Sequence, residues 1–581
     1  MAITLRTITG SALTYEQLDT NFSSFFYSAS YSNGTIALFT TGSGDTGSAV
    51  PGPISMSFTI PIISQWTGSV GVSTINTQIQ ITGSLINGTG SISAPNNRFS
   101  HGEGFSATAT GLYSHAEGVN NQATNTGSHA EGWTTTATGR YAHSEGTATG
   151  AYGTGSHAEG YSSISSGSYS HAEGFFNTAS GSYSHAEGGG SVAIGDYSHA
   201  EGATTIATGD YSHTEGKGSI GSGNYSHAEG DNVIASGIAA HAEGSSTIAS
   251  GPTSHAEGVG TQATAPNSHA EGSYAQTFGT GSHAEGSMAQ SIGNWSHAEG
   301  MGTQARGSGS HAEGNGGEAN GEASHAEGFF TVATGSYSHA EGSTTLAKAE
   351  ASHAEGSLTT ASGSYSHAEG TLTQAIGEAS HAEGYTSKAR GDFSHAEGFN
   401  TTAQGNYSHA EGAGTLAIGY GSHAEGESTI ASGSYSHAEG NTTTALAAYS
   451  HAEGKSTLTL GGSSHAEGYY TTASGDYSHA EGQYTVALGE SQLVVGQYNI
   501  SSSFRSAFIV GNGTAAGSRS NLVFASGSQF QVTGSLMVKD ILQLAVRTTT
   551  PTPVEGMIIA SGSVGASVLY YYNGTTWNAL F

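Results

Sequence analysis

Ser170-His171-Ala172-Glu173-Gly174 is the stretch whose recurrence decides the fold. The chain holds 28 histidines, and all of them lie on one series that starts at His101, steps by fourteen and ends at His479. Each is followed two residues on by glutamate (Glu103 to Glu481) and three residues on by glycine (Gly104 to Gly482). No insertion breaks this register. Loops of varying length would destroy it, whereas a stack of like coils requires it. The expected fold is all-β: a parallel β-solenoid, or β-roll, of fourteen-residue coils.

One repeat can be read outward from its histidine, taken as position 0. Positions −2 to +2 run Tyr-Ser-His-Ala-Glu, as in Tyr169 to Glu173, and positions +5 to +9 run x-Thr-x-Ala-x, as in Thr204 to Thr208. This predicts two five-residue strands joined by two tight turns, with glycines at +3 and +10 where turns need positive φ. Side chains alternate along a strand. Ser (−1), Ala (+1), Thr (+6) and Ala (+8) therefore line a thin interior. Ala142-His143-Ser144 exchanges the two small residues across the histidine, as such an interior would accept. At an inter-strand spacing of about 4.8 Å, 28 coils would make a rod of roughly 130–140 Å.

The opposite face carries histidine and glutamate, and the end of the series indicates where that face points. One period after His479 and Glu481 the chain reads Leu493 and Val495, and a further near-repeat places Phe508 and Val510 at the same sites. Large apolar groups there predict a buried face. The coil is too thin to bury it, so another copy of the chain must. A closed symmetric trimer is the simple solution. It would set His101 and Glu103, His171 and Glu173, His255 and Glu257, His339 and Glu341, His409 and Glu411, and His479 and Glu481 around one axis. An imidazole of one chain would then donate to a carboxylate of its neighbour. The expected worth of this lattice is register rather than net stability.

Composition narrows the function. The formal charge is −31, and the repeat supplies 28 of the 44 acidic residues; the other 16 nearly balance the 13 lysines and arginines. Protonated histidines would cancel most of the excess. No basic stripe suggests nucleic acid. Cysteine is absent. The first residues lack a basic-then-apolar leader, and no apolar run reaches membrane-span length, so assembly in a cytoplasm is expected, without membrane insertion. A His/Glu pair at i, i+2 could hold metal or move protons. Twenty-eight like layers read instead as scaffolding, so neither an enzyme nor a bound cofactor or metal is expected. The tyrosines at −2 (Tyr113, Tyr183, Tyr337, Tyr477) read as packing at a rim, with sugar stacking as the sharper alternative. The variable +7 face is too irregular for ice binding.

The ends differ from the repeat. Residues 13–28 predict a short helix, with Thr14 and Gln17 as a capping box and Leu18, Phe22 and Phe25 on one face. The resulting division is 1–48 with that helix, 49–96 as a small β domain, 97–496 as about 28–29 coils, 497–547 as a degenerate transition, and 548–581 as a hairpin tip with an Asn573-Gly574 turn. Within the transition, residues 522–524, 530–532 and 535–538 are expected as strands.

The unit Ser-His-Ala-Glu-Gly-x-x-Thr-x-Ala-x-Gly resembles the YadA-like head repeats of trimeric autotransporter adhesins across 97–496. That resemblance implies a left-handed parallel β-roll with three chains to a head. It departs at positions 0 and +2, where those heads carry Val and Ile. The His/Glu variant, together with 492–499 and 507–514, looks more like bacteriophage tail-fibre and appendage proteins. Residues 13–22 are similar to the opening of many phage fibre proteins, where that end attaches to the virion, and 569–580 to their terminal modules. Some relatives cleave themselves near the C-terminus, but no nucleophile–base pair is evident here. The expectation is a structural homotrimeric fibre of a virion, bound to other phage proteins through its N-terminus and to a host receptor or glycan elsewhere. The alternative is a bacterial trimeric surface adhesin.

Overall fold

In a computed structural model, residues 99–539, 552, 555–563 and 566–580 are described, with the backbone of six short strands before them. The chain divides into two compact units, 1–358 and 359–581. In each unit the repeat forms parallel coils. The strand that opens at histidine pairs in register with its copy one coil on: His115 faces His129, Ala116 faces Ala130 and Glu117 faces Glu131. A second parallel ladder runs through positions +7 and +8, as where Gln122 and Ala123 face Thr136 and Ala137. The all-β expectation and the parallel solenoid both hold for the described residues.

The interior is as small as the pattern requires. Ala116, Ala123, Ala256 and Ala263 are fully buried, as are Thr205 and Thr261, and Ser114 and Ser254 nearly so. Alanine contributes little apolar area per coil, on the order of one methylene's worth of transfer energy. The inter-coil hydrogen bonds therefore carry a large share of the cohesion. The serine hydroxyl at −1 closes the turn before it, as where Ser114 Oγ donates to the Gly111 carbonyl at 2.8 Å.

Three local expectations are corrected. The first strand runs from 0 to +4, as His115–Val119, and the second covers only +7 and +8, as Gln122–Ala123. Position −2 belongs to a turn, not a strand. The +10 glycine has no positive φ; it is required because a Cβ at Gly111 would lie 1.8 Å from the Asn125 carbonyl oxygen of the next coil. Positive φ occurs instead at +3, as at Gly118 (114°), and at two corners that carry ordinary residues, −2 (Tyr183, 59°) and +5 (Thr134, 58°). Left-handed backbone costs a non-glycine residue about 1–2 kcal/mol. The hydrogen bonds explain why it is kept. His143 N–H donates forward to the Ser156 carbonyl, whereas Tyr141 N–H donates back to the Thr126 carbonyl, both at 2.8 Å. Turning the peptide at each corner lets both neighbouring coils be bonded.

The ends resolve in part. The helix expected over 13–28 lies outside the described residues, except that Ser28 opens the strand Ser28–Ser32. That strand pairs antiparallel with Thr35–Phe39, which pairs with Met56–Thr59; Gly71–Thr74 pairs with Ile79–Thr82. Leu85–Asn87 joins the His101 strand in parallel. In the second unit, Leu493 faces His479 and Phe508 faces Leu493, so the apolar residues continue the histidine row. That last step is fifteen residues, and Gln492 fills the serine place. Its side chain accepts from Leu488 N–H at 2.9 Å and donates to the Ser502 and Phe504 carbonyls at 3.0 and 3.2 Å. Asn521–Ser526 and Gln529–Val532 then form an antiparallel hairpin, while 535–538, expected as a strand, has no regular structure. At the tip, Ile558–Ser563, Ala566–Tyr572 and Trp577–Ala579 make a three-stranded sheet. Its last turn spans 573–576, with Asn573 Oδ1 accepting from Thr575 and Thr576 N–H.

Candidate functional site

Because each coil repeats the last in register, the histidines form a column in each unit. Successive rings lie face to face, as for His255 and His269, with centroids 4.6 Å apart and planes 1° from parallel. Their side chains remain about one-third exposed, as His255 at 34%. Yet the Nε2 atoms of His157, His171, His255 and others are shielded from solvent and make no hydrogen bond. In most coils the nearest acidic oxygen belongs to the glutamate of the same coil, 3.5 Å away for His423 and Glu425 and 4.0 Å for His255 and Glu257. Those separations are too long for a hydrogen bond.

Burial and repulsion from adjacent imidazoles hold His115, His143, His255 and His437 below the ordinary histidine value. His423 is pushed down to about 4. These imidazoles are thus held toward their neutral form at pH 7 and do not offset the acidic charge beside them.

Most coils pair histidine only with its own glutamate, but two places differ. In the first unit, His157 lies 3.9 Å from Glu145 of the preceding coil and 3.8 Å from its own Glu159, and His171 likewise lies between Glu159 and Glu173. His199 sits between Glu187 and Glu201. In the second unit, His395 sits between Glu383 and Glu397. Here successive carboxyls approach one another closely enough to share hydrogen bonds, and alternate members hold the proton. Contact with Glu173 and Glu145 raises Glu159 to about 8; Glu187, Glu215 and Glu383 rise to about 7 for the same reason. Glu145, Glu173 and Glu201 are lowered. A shallow open groove of about 420 Å³ runs over Glu145, Glu159, Glu173 and Glu187.

Reading the repeats as alike missed these two patches, although a sequence signal marks them. Position +4 carries aromatics in two successive coils only at Tyr161 and Phe175 and at Tyr385 and Phe399. Both pairs are stacked, at 5.2 and 5.4 Å. The first strand shortens to His-Ala in the coils opening at His157, His171 and His381, and also at His353 and His367, which carry serine and threonine at +4.

Elsewhere the sequence-derived sites fall where expected in register. His101 and Glu103, His339 and Glu341, His409 and Glu411, and His479 and Glu481 occupy the same two columns. Leu493 and Phe508 extend the histidine column with 39% and 40% of their surface exposed, and Val495 and Val510 face each other in the glutamate register. The tyrosines at −2 form their own column, as where Tyr183, Tyr197 and Tyr211 stack at 4.8 Å, within 5° of parallel. In that run the ring faces are taken by one another, whereas Tyr337 and Tyr477 have alanine or serine at −2 in the neighbouring coils and stay 61% and 66% exposed.

A family model described as YadA head domain repeat matches residues 186–212, 396–422, 424–446 and 466–490. At these places the coils are YadA-like head repeats. One head-repeat match lies in the first unit and three in the second. No curated protein matches the chain.

Proposed function

We propose that the chain is the repeat-built body of a homotrimeric attachment fibre, with the His/Glu column of each chain facing two other copies. The carrying observation is the continuation of that column into Leu493 and Phe508, large apolar side chains left two-fifths exposed on a single chain. The histidine Nε2 atoms, shielded yet unbonded, also call for a partner. A symmetric assembly covers every layer by one operation. Where burial holds the imidazole below its ordinary value, as at His143 and His255, a cross-chain contact is an N–H donating to a carboxylate rather than an ion pair.

The role is mechanical and adhesive rather than catalytic: the layers repeat one His/Glu constellation, varied only in how closely neighbouring coils pair, where catalysis needs a singular one. Within that reading we place the chain on a virion, assembled in the host cytoplasm and bound to other structural proteins through its N-terminal region. The support is the likeness of residues 13–22 and 569–580 to phage fibre ends. The head-repeat match fits a bacterial surface adhesin equally well. Native mass measurement tests the first step, with three chains expected; a monomer with the column in water would overturn it. Immunogold labelling tests the second, with label on particles expected and label on the bacterial surface supporting the adhesin.

A further inference from the structure

The aromatic column at −2 is interrupted, and its gaps differ in kind. Tyr183, Tyr197 and Tyr211 occupy successive coils and cover one another. Elsewhere a small residue replaces the ring. Where that residue is glycine, the ring of the next coil leans over it: a Cβ on Gly127 would lie 2.5 Å from Tyr141, and one on Gly421 would lie 2.9 Å from Tyr435. Those gaps are filled. Ala379 and Ser463 carry the Cβ that forbids this pose, so the rings of Phe393 and Tyr477 in the next coil are held off. Each gap becomes a slot between two rings two coils apart, Tyr365 and Phe393 in one case, Tyr449 and Tyr477 in the other. All six residues lie in the second unit. The corner keeps its left-handed backbone through both gaps, with φ 49° at Ala379 and 53° at Ser463. What is missing is a side chain, in a coil that is otherwise regular.

Two coil steps set the ring planes about 9.6 Å apart. Carbon atoms meet a ring face at about 3.5–4.0 Å, so a flat guest touching both rings needs only about 7–8 Å and leaves space. A puckered pyranose, thicker by roughly 1–2 Å, fills it. The lining suits a sugar as well. Tyr449, Tyr477 and Ser463 supply hydroxyls at the first slot. Asp476 precedes its upper ring, and its Oδ1 accepts from Gly462 N–H at 2.8 Å. The second slot repeats this plan, with Asp392 before Phe393 accepting from Glu378 N–H at 3.0 Å. A carboxylate fixed in place takes hydroxyl donors in short, charge-assisted bonds. The faces are also open: Tyr477 and Tyr365 keep 66% and 59% of their surface exposed, against 49% for Tyr197 within the stack. Carboxylates at both slots, on a chain of formal charge −31, repel phosphate, sulfate and acidic sugars.

We propose that the two slots bind neutral hexopyranose units of a glycan, each sugar ring held between two aromatic side chains with its hydroxyls on the adjacent aspartate. Such binding rests on the adhesive role above and gives it a surface and a receptor class. Each slot is built from a single chain. It stands at the corner that precedes the histidine strand, where the tyrosines are nearly twice as exposed as the imidazoles, His255 for example at 34%. Repetition along a rod suits a polymeric receptor, since two weak sites on one chain engage one glycan by effective concentration.

The test is saturation-transfer NMR on the full chain, with hexasaccharides of β-1,4-linked glucose, β-1,4-linked galactose and α-1,6-linked mannose as probes, followed by calorimetry. Saturation transfer to a hexose ring is expected. The variant Ala379→Tyr/Ser463→Tyr completes the stack, an arrangement the fold already accepts at Tyr183, Tyr197 and Tyr211. It should weaken binding at least tenfold. Tyr197→Ala opens a new slot between Tyr183 and Tyr211, with Asp210 before the upper ring, and should add one site per chain. Circular dichroism and sedimentation on each sample separate loss of a slot from loss of fold or assembly. A parent that binds sugar as a monomer would sink the fibre reading and support this one. No transfer to any probe at millimolar concentration, unchanged affinity in the filled variant, no added site in Tyr197→Ala, or displacement of the sugar by tetramethylammonium would overturn the proposal.

Discussion

At the scale of the residue, the interior is not uniformly satisfied, and the exceptions are informative. Asn177, at +6, donates to the Glu173 and Gly188 carbonyls and accepts from Ser191 N–H. Threonine at the same position, as Thr401 or Thr429, is buried with an unbonded hydroxyl. A buried hydroxyl without a partner costs about 1–3 kcal/mol. Thr401→Val is thus expected to stabilise its layer by up to about 1 kcal/mol, and Asn177→Ala to destabilise by about 2–3 kcal/mol. Hydrogen exchange of amides in the flanking coils reads both, since stability in such stacks is local. Titration supplies a second expectation. His115, His143, His255 and His437 are depressed below their unfolded value near 6.5, so the stability they contribute is present above 6.5 and lost as pH falls through the folded values, about 4 for His423. The four raised carboxyls act oppositely, losing their contribution as pH rises from 4.5 through about 7–8. The imidazoles outnumber them. Thermal melting should drop from pH 7 to pH 4.5, and a flat profile over that window would contradict the assignment.

At the scale of the element, the coil shows which parts of the sequence were legible. The period set the ladder register, and the alternation of small residues placed Ser114, Ala116, Thr205 and Ala207 inside, where they are. Strand limits were not legible. A tyrosine such as Tyr183 reads as a strand former by propensity, but inter-coil bonding forces it into a left-handed corner. The glycine at +10 read as a turn residue, while its reason is a neighbour's carbonyl, which no single repeat displays. The doubly paired imidazoles escaped for a similar cause: they arise from successive coils, and only the aromatic pairs at +4 betray them. The apolar layers carry this scale's prediction. Phe508→Glu with Leu493→Glu should leave the coil spectrum of circular dichroism intact and cause the assembly to dissociate in sedimentation. An undisturbed assembly would remove these side chains from the interface.

At the scale of the whole molecule, the coils are interchangeable units within each compact body. Removing residues 241–268 excises two complete periods and restores the same register across the join. That deletion is expected to fold, with unchanged protease resistance. Removing 241–247 instead brings the +7 position onto the histidine column and carries His255, Glu257 and every later pair to the opposite face; Ser254 and Ala256 still fall inside, so the coil should survive while the broken column costs the assembly in sedimentation. Equal behaviour of the two deletions would contradict a ladder in which like residues must face like.

Stopping, by contrast, is a local property. The Gln492 amide seals the last regular layer with bonds that serine is too short to make. Everything before it can be copied or dropped in whole units. A gene of this form can recombine between its own tandem segments and still encode a product whose layers fit and whose end is closed. Layer count becomes a heritable quantity that changes in steps of about 4.8 Å, with no new contact to be invented at any step.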